Sequence, residues 1–440
     1  MIKELIDSIR LGDAEELVFE QRYSVGESLA RRRNKESFNN WKKENTKSIS
    51  SIGGDRPYSI SWFDSLFTSD IAVESIITDK NRGRKIVGTF CNLVPEELIY
   101  ASGARPIRLC SGANHTIKAA ETVYPRDCCD LIKSSLGTAI DNEPFAGLCD
   151  SIVIPATCDG KKKLGEIMNE IVPIWMLDLP QSRDRAQAKS YWLTENKLLK
   201  KKLEVLTGQK IDRKSLRQAI MDLQERNIML RKIQEYRRKA LLSGRDALII
   251  IQGCFFADLH EWMKHADLLF KELDKKQYNH QMENPQKKAR IMISGSPLIL
   301  PNTKIADIIE GHGALIVADM TCSGGEFSYD AVVPDDWSMH DMMLAVSERY
   351  LLPSMCPCFM KSEDRIDKAL DLVRENKIEG VVYVVLRHCL LFDIEARKLK
   401  EALAAKGIPF LQIMTDYSPE DKEQLRTRVE AFIEMIAARK

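Results

Sequence analysis

Two stretches of this 440-residue chain repeat the same grammar of short apolar runs alternating with helical patterns, and nothing else in it constrains the fold as strongly. The first begins at Lys85. KIVGTF reads as a strand, CNLVPEELIYASGA as a turn and helix, and RPIRLC as a second strand. A helix near His115 to Val123, the segment YPRDCCDLIKSSLG, the strand SIVIPA, a helix through Met168 and the strand IVPIWMLDLP follow. The second block opens with the strand ARIMISGSPLI, the helix IADIIEGHG and the strand ALIVADMTC. It continues with the helix DDWSMHDMMLAVSERYL, the PSMCPCF turn, the helix DRIDKALDLVREN, the strand GVVYVVLRHC, the helix FDIEARKLKEALAAKG and the strand IPFLQIMTD. Such alternation implies βαβ units and parallel sheets. From about 181 to 285 apolar residues instead recur at three- and four-residue spacing, the mark of long amphipathic helices. The expected fold is therefore α/β. Two Rossmann-like (flavodoxin-like) parallel-sheet domains, 81–180 and 288–440, are joined by a helical region over 181–287 and preceded by a helical N-terminal region over 1–80. Within that last region MIKELIDSIRLGDAEELVFEQRYS reads as a charged amphipathic helix without a signal-peptide core, and RRRNKES (31–37) as a solvated stretch.

The 11 cysteines follow this grammar. Cys110 and Cys322 sit where the second strand of each block ends. Cys129 and the Cys356/Cys358 pair fall in the loop or helix start that comes next. Cys158 and Cys389 come directly after a hydrophobic strand and before a helix. Ligands of an open parallel sheet collect outside the carboxyl ends of its strands, so at least five cysteines are expected at a functional edge. Cys149 and Cys254 alone look scattered, as buried thiols acting as small hydrophobes would be. Paired C-x2-C spacing, the usual sign of a zinc knuckle, is absent. Single thiols so widely separated can meet only where folded domains bring strand ends together. That pattern suits an iron–sulfur site between two domains, because thiolates are the usual cluster ligands.

Composition excludes other classes. With 65 basic and 64 acidic side chains the formal net charge is +1, which gives no support to nucleic-acid binding. No run of about 18 apolar residues occurs, so a membrane span is not expected. These features suggest a cytoplasmic protein, where a disulfide scaffold would be unusual. Neither G-x-x-x-x-G-K-[ST] nor G-x-G-x-x-G is present, so the chain has no Walker-type ATP site of its own. His388, next to Cys389, is a candidate proton donor, with a structural role as the plainer reading. Glu96 and Glu97 follow Cys91 in CNLVPEE, where acidic residues in a first helical turn are electrostatically favourable.

The stretches GTFCNLVPEELIYASGARPIRLC, CCDLIKSSLG, ATCDGKKK, LPQSRD, ERYLLPSMCPCF, GVVYVVLRHC and QIMTDYS together resemble the 2-hydroxyacyl-CoA dehydratase and benzoyl-CoA reductase family of iron–sulfur proteins. The likeness covers about 85 to 425 and is weakest in the helical middle. ATCDGKKK, the CPC turn and the HC before the last long helix resemble most the double-cubane cluster proteins of that family. In that branch, the resemblance implies, six cysteines hold two [4Fe-4S] cubanes joined by a bridging sulfide, whereas ordinary dehydratase subunits use three cysteines for one cubane. Carried over by motif, the implied ligands are Cys91, Cys129, Cys158, Cys322, Cys358 and Cys389. Cys356 could replace Cys358, Cys128 lacks the spacing to LIKSSLG, and Cys110 is left as a bystander.

The resemblance further implies an ATP-dependent low-potential iron–sulfur reductase acting on a small unsaturated substrate. Its electrons would come from a separate dimeric ATPase activator with its own [4Fe-4S] cluster, and the chain itself would be a homodimer. The alternative is a lyase: a 2-hydroxyacyl-CoA dehydratase or benzoyl-CoA reductase-like subunit with one [4Fe-4S] cluster. Lys161, Lys162 and Lys163 remain. A solvated helix face is the ordinary reading of such a run. Cations at a helix N-terminus oppose the macrodipole, however, so they are expected to face an anion: the cluster, a phosphate, or an acidic patch on the ATPase.

Overall fold

The computed structural model describes residues 27–54, 56–141, 143–279, 288–352, 356–361 and 363–439. The amphipathic helix expected over the first 24 residues lies outside them. Eight strands form two four-stranded parallel sheets. The first contains β1 (Ile86–Thr89), β2 (Arg105–Arg108), β3 (Ser151–Pro155) and β4 (Ile174–Leu177) in the order β2-β1-β3-β4. The second contains β5 (Arg290–Gly295), β6 (Leu315–Met320), β7 (Gly380–Leu386) and β8 (Phe410–Thr415) in the order β6-β5-β7-β8. The two halves thus share a flavodoxin-like topology. Each has its strand-order switch at its centre, between β1 and β3 and between β5 and β7, where a crevice opens at the carboxyl ends.

Burial explains the sequence pattern. Every residue of β1, β2, β3 and β7 is buried, because helices cover both faces of a parallel sheet; β1, β3 and β7 read as apolar runs, whereas β2 (RPIR) buries two arginines paired with Asp79 and Glu96. The edge strands β4 and β8 are only half-buried. The helix expected near His115 to Val123 shrinks to one turn, Ile117–Ala120. There the Ala120 carbonyl accepts from both Val123 N at 3.1 Å and Tyr124 N at 2.8 Å, which closes the helix.

The helical middle is more than a linker. Helix Arg213–Arg238, started by an Asp212–Ser215 capping box, lies against helix Glu96–Ala101 of the first half and β6 of the second. Helix Gly244–Gly253 is buried at all ten positions rather than amphipathic. One apolar core joins Val87 and Val153 of the first sheet to Trp192 and Leu216 of the middle and to Val346 and Tyr350 of the second half. The Trp192 indole donates to the Ser347 carbonyl at 3.0 Å. RRRNKES lies within helix Glu27–Ser50, and its Ser37 is buried, donating to Glu143 Oε1 at 2.8 Å. No helix among the described residues is long and apolar enough to cross a membrane.

The halves meet backbone to backbone just beyond β2. A Cβ at Gly112 would lie 1.9 Å from the Ile299 carbonyl oxygen, so only glycine admits this approach. Gly112→Ala is expected to cost about 1–3 kcal/mol in urea unfolding. An unchanged midpoint would show that this contact does not set the docking of the halves.

Candidate functional site

Three helices start on cysteine. Cys129 is the N-cap of Asp130–Ile140, Cys158 of Asp159–Met168 and Cys389 of Leu390–Ala404. The amides of Leu131 and Ile132 face the Cys129 sulfur, that of Lys161 the Cys158 sulfur, and that of Phe392 the Cys389 sulfur. None closes into a regular capping hydrogen bond, but each dipole favours a thiolate. Cys91 follows β1 in the left-handed region, with φ +71°, a conformation that costs a non-glycine residue about 1 kcal/mol or more. Cys110 follows β2 and Cys322 follows β6.

These thiols converge. Cys129, from the first half, meets Cys389, from the second, and Cys356 meets Cys358. At the centre lies Lys161, only 8% exposed. Cys91, Cys110, Cys158, Cys322, Cys356, Cys358 and Cys389 all lie within reach of its charge. Among the described residues no carboxylate pairs with it. Burial opposes the ammonium, yet the surrounding sulfurs hold it above the usual lysine range. Burial also pushes the Cys91 and Cys322 thiols up. One thiolate balances this cation, and the sulfurs that can carry it at neutral pH are Cys356 and Cys389, lowered to about 7 by hydrogen bonds from Cys358 and Cys129 and by the nearby ammonium.

The rest of the lysine run points elsewhere. Lys162 and Lys163 are exposed and pair with Asp159 at 3.3 Å and Glu166 at 2.5 Å on their own helix. The run thus divides into one chamber-facing cation and two solvated ones.

Buried ion pairs fix the rim. Arg226 Nη1 lies 2.5 Å from Glu96 Oε2, and Arg108 Nη2 lies 3.2 Å from Glu96 Oε1. Arg108 also donates to Asn92 Oδ1 at 2.8 Å and to the Cys322 carbonyl at 3.2 Å, tying the turn after β1 to the turn after β6. Burial would raise the Glu96 carboxyl, but the two guanidiniums hold it below its ordinary value. Glu97 receives the Tyr350 hydroxyl at 2.9 Å. The two glutamates therefore do more than charge a helix end. Arg237 pairs with Asp319 at 2.6 Å, and Asp319 Oδ1 accepts from Gly325 N at 2.9 Å, shaping the loop that carries Cys322.

The structure brings Cys91, Cys129, Cys158, Cys322, Cys358 and Cys389 to this interior. It also brings Cys110, which lines a cavity of about 20 Å³ with Cys91, Cys322, Arg108 and Phe255. Between the paired cysteines, Cys356 is the more central: its sulfur lies near Cys91, Cys158, Lys161 and Arg365. Cys149 donates to the Phe145 carbonyl at 3.2 Å and Cys254 packs against the main core, both away from the thiol ring. His388 is exposed, with φ +65°, and no hydrogen bond or ion pair among the described residues engages it. Glu326, raised to about 8 by burial and lying near Cys356, is an acid that sequence reading missed. The only local sign of it is a carboxylate in an otherwise small-residue turn.

Among the described residues no three His, Cys, Asp or Glu side chains close on one point as a mononuclear site requires. The donor chemistry nevertheless fits a thiolate-held polynuclear cluster: soft sulfur donors from both sheets, amide dipoles at three of them, and a buried cation. The cavity itself has room for about one water. A larger group would enter that cavity only if its lining, Cys91, Cys110 and Cys322 among it, moved outward.

The profile of 2-hydroxyglutaryl-CoA dehydratase, D-component, matches residues 91–436. A protein of Escherichia coli K12, YjiM, named provisionally as a dehydratase subunit, is 33% identical over 363 residues, covering 81% of this chain and 93% of the relative. The (R)-phenyllactyl-CoA dehydratase beta subunit of Clostridium sporogenes is 22% identical, covering 80% and 92%. The beta subunit of (R)-2-hydroxyglutaryl-CoA dehydratase from Acidaminococcus fermentans is 25% identical, covering 81% and 94%. The chain belongs to the 2-hydroxyglutaryl-CoA dehydratase D-component family.

Proposed function

We propose that this 2-hydroxyacyl-CoA dehydratase-type component is a reductase carrying a double-cubane iron–sulfur cluster. It receives low-potential electrons from a separate ATP-hydrolysing activator and delivers them to a small unsaturated substrate. The observation that carries the reading is the convergence of thiols from both sheet edges on one buried ammonium. Cys91, Cys129 and Cys158 from the first half, with Cys322, Cys389 and one of Cys356 and Cys358 from the second, would hold the cluster. When bound, such a cluster stores and passes single electrons at low potential. The chain's own part is to exclude water from the chamber, to orient thiolates through helix-start amides, and to supply a compensating charge at Lys161. The absence of a Walker motif from this chain is consistent with ATP hydrolysis on a partner. Homodimer formation belongs to the same reading.

A one-cubane dehydratase subunit is the second reading, favoured by the names of the relatives. Iron and acid-labile sulfide after anaerobic purification separate the two. About eight iron atoms per chain are expected for two cubanes. About four would favour the dehydratase subunit, and none would overturn both.

A further inference from the structure

Tyr417 lies in the turn just beyond β8 and is 5% exposed. Its backbone N–H donates to Asp130 Oδ2 at 2.8 Å, which ties this turn of the second half to the helix that Cys129 caps. Asp130 is itself engaged by Lys133 at 3.0 Å. The tyrosine oxygen thereby lies within electrostatic reach of the Cys129 sulfur, the Asp130 carboxylate and the sulfurs of Cys110 and Cys322. Its hydroxyl is fully buried and makes no hydrogen bond among the described residues. An unsatisfied buried hydroxyl costs about 1–3 kcal/mol, so such a group calls for an acceptor. The Asp130 carboxylate is taken up by Lys133 and by the Tyr417 N–H and accepts nothing from this hydroxyl, which leaves the sulfurs as the neighbouring acceptors. A neutral thiol accepts weakly, whereas an anionic acceptor makes a hydrogen bond roughly twice as strong as a neutral one.

We propose that Tyr417 is a positioning residue whose hydroxyl donates a hydrogen bond to sulfur of the bound cluster on its Cys129 side, and thereby raises the cluster's reduction potential. Reduction adds negative charge to the cluster, and a donor aimed at its sulfur stabilises that state. This rests on the iron–sulfur reading above. It assigns Tyr417 no contact with substrate and no step in its conversion.

The test uses the full chain, loaded with iron and sulfide anaerobically, beside Tyr417→Phe, which removes one oxygen and keeps the ring. Iron content, unfolding midpoint and a reductive titration followed by EPR are measured on both. The midpoint potential is read from the loaded fraction, so incomplete loading does not obscure it. The expected result is equal iron, little change in unfolding, and a reduction equilibrium shifted about tenfold toward the oxidised form, which is 59 mV for one electron. Equal iron with an unchanged potential would overturn this inference and leave the functional reading standing. A parent chain that binds no iron would overturn both.

Discussion

Arg226→Met is expected to lower the unfolding free energy by about 3–5 kcal/mol, a large part of what holds an ordinary domain folded. The Arg226 side chain is buried, and its guanidinium lies 2.5 Å from the Glu96 carboxylate. Methionine fills much of the same space but leaves Glu96 with Arg108 as its remaining cationic partner at hydrogen-bond range. The loss is one of uncompensated charge more than of packing. Urea unfolding of the parent, Arg226→Met and Arg226→Met/Glu96→Leu distinguishes these causes. If charge is responsible, the double variant recovers much of the loss, because removing both members of a buried pair costs less than removing one. A single variant losing under about 1 kcal/mol would show that the network does not hold the halves together.

The pH dependence has a definite sign. The folded-state carboxyl of Glu96 is depressed, so its stabilising contribution is present at neutral pH and lost as pH falls through the folded value, below 4.5. Parent and Arg226→Met stabilities should therefore converge on acidification below that point.

This network also shows where sequence reading ends. Glu96 and Arg226 are 130 residues apart, and nothing local marks an arginine on an otherwise amphipathic helix as half of a buried pair. The central strands β1, β3 and β7, by contrast, are legible because their fully buried apolar runs are continuous and short. The cysteines were legible because a strand's carboxyl end is a local property of the chain. Three of them prove to be helix N-caps; the strand–Cys–helix order implies this for Cys158 and Cys389, whereas Cys129 follows a loop. Cys110 is a bystander by the resemblance, whose motifs supply six other ligands; it lines a cavity beside the Gly112–Ile299 approach, a contact between the halves that no local pattern marks. His388 was singled out for its neighbour, yet the left-handed turn that carries it leaves the side chain exposed. The central place of Cys356 depends on its distance from Cys158 and Lys161, which sequence spacing does not encode.

Lys161 carries the second large effect, and it should be larger in the loaded protein. Successive residues of a helix point about 100° apart, so a run of three lysines cannot all enter one chamber. The helix turns Lys161 inward and leaves Lys162 and Lys163 on the solvated face. In the metal-free chain burial holds the Cys91 and Cys322 thiols up, and the sulfurs of Cys356 and Cys389, each lowered to about 7, supply the counter-charge within reach of Lys161. Because the surrounding sulfurs hold the ammonium above the usual lysine range despite its burial, Lys161→Met should destabilise the metal-free protein at neutral pH, by about 1–3 kcal/mol. In the loaded protein the same cation balances thiolates and cluster charge. There the substitution should speed iron release to a chelator by about tenfold or more, because anything bound to the folded state by a favourable charge stabilises it in proportion. Lys162→Gln and Lys163→Gln, which each remove an exposed pair, should change either measurement by less than about 0.5 kcal/mol. Thermal unfolding of both forms, with chelator-driven iron release, tests both effects. If Lys161→Met left the metal-free chain equally or more stable, the sulfurs would not be balancing the ammonium before the cluster is bound.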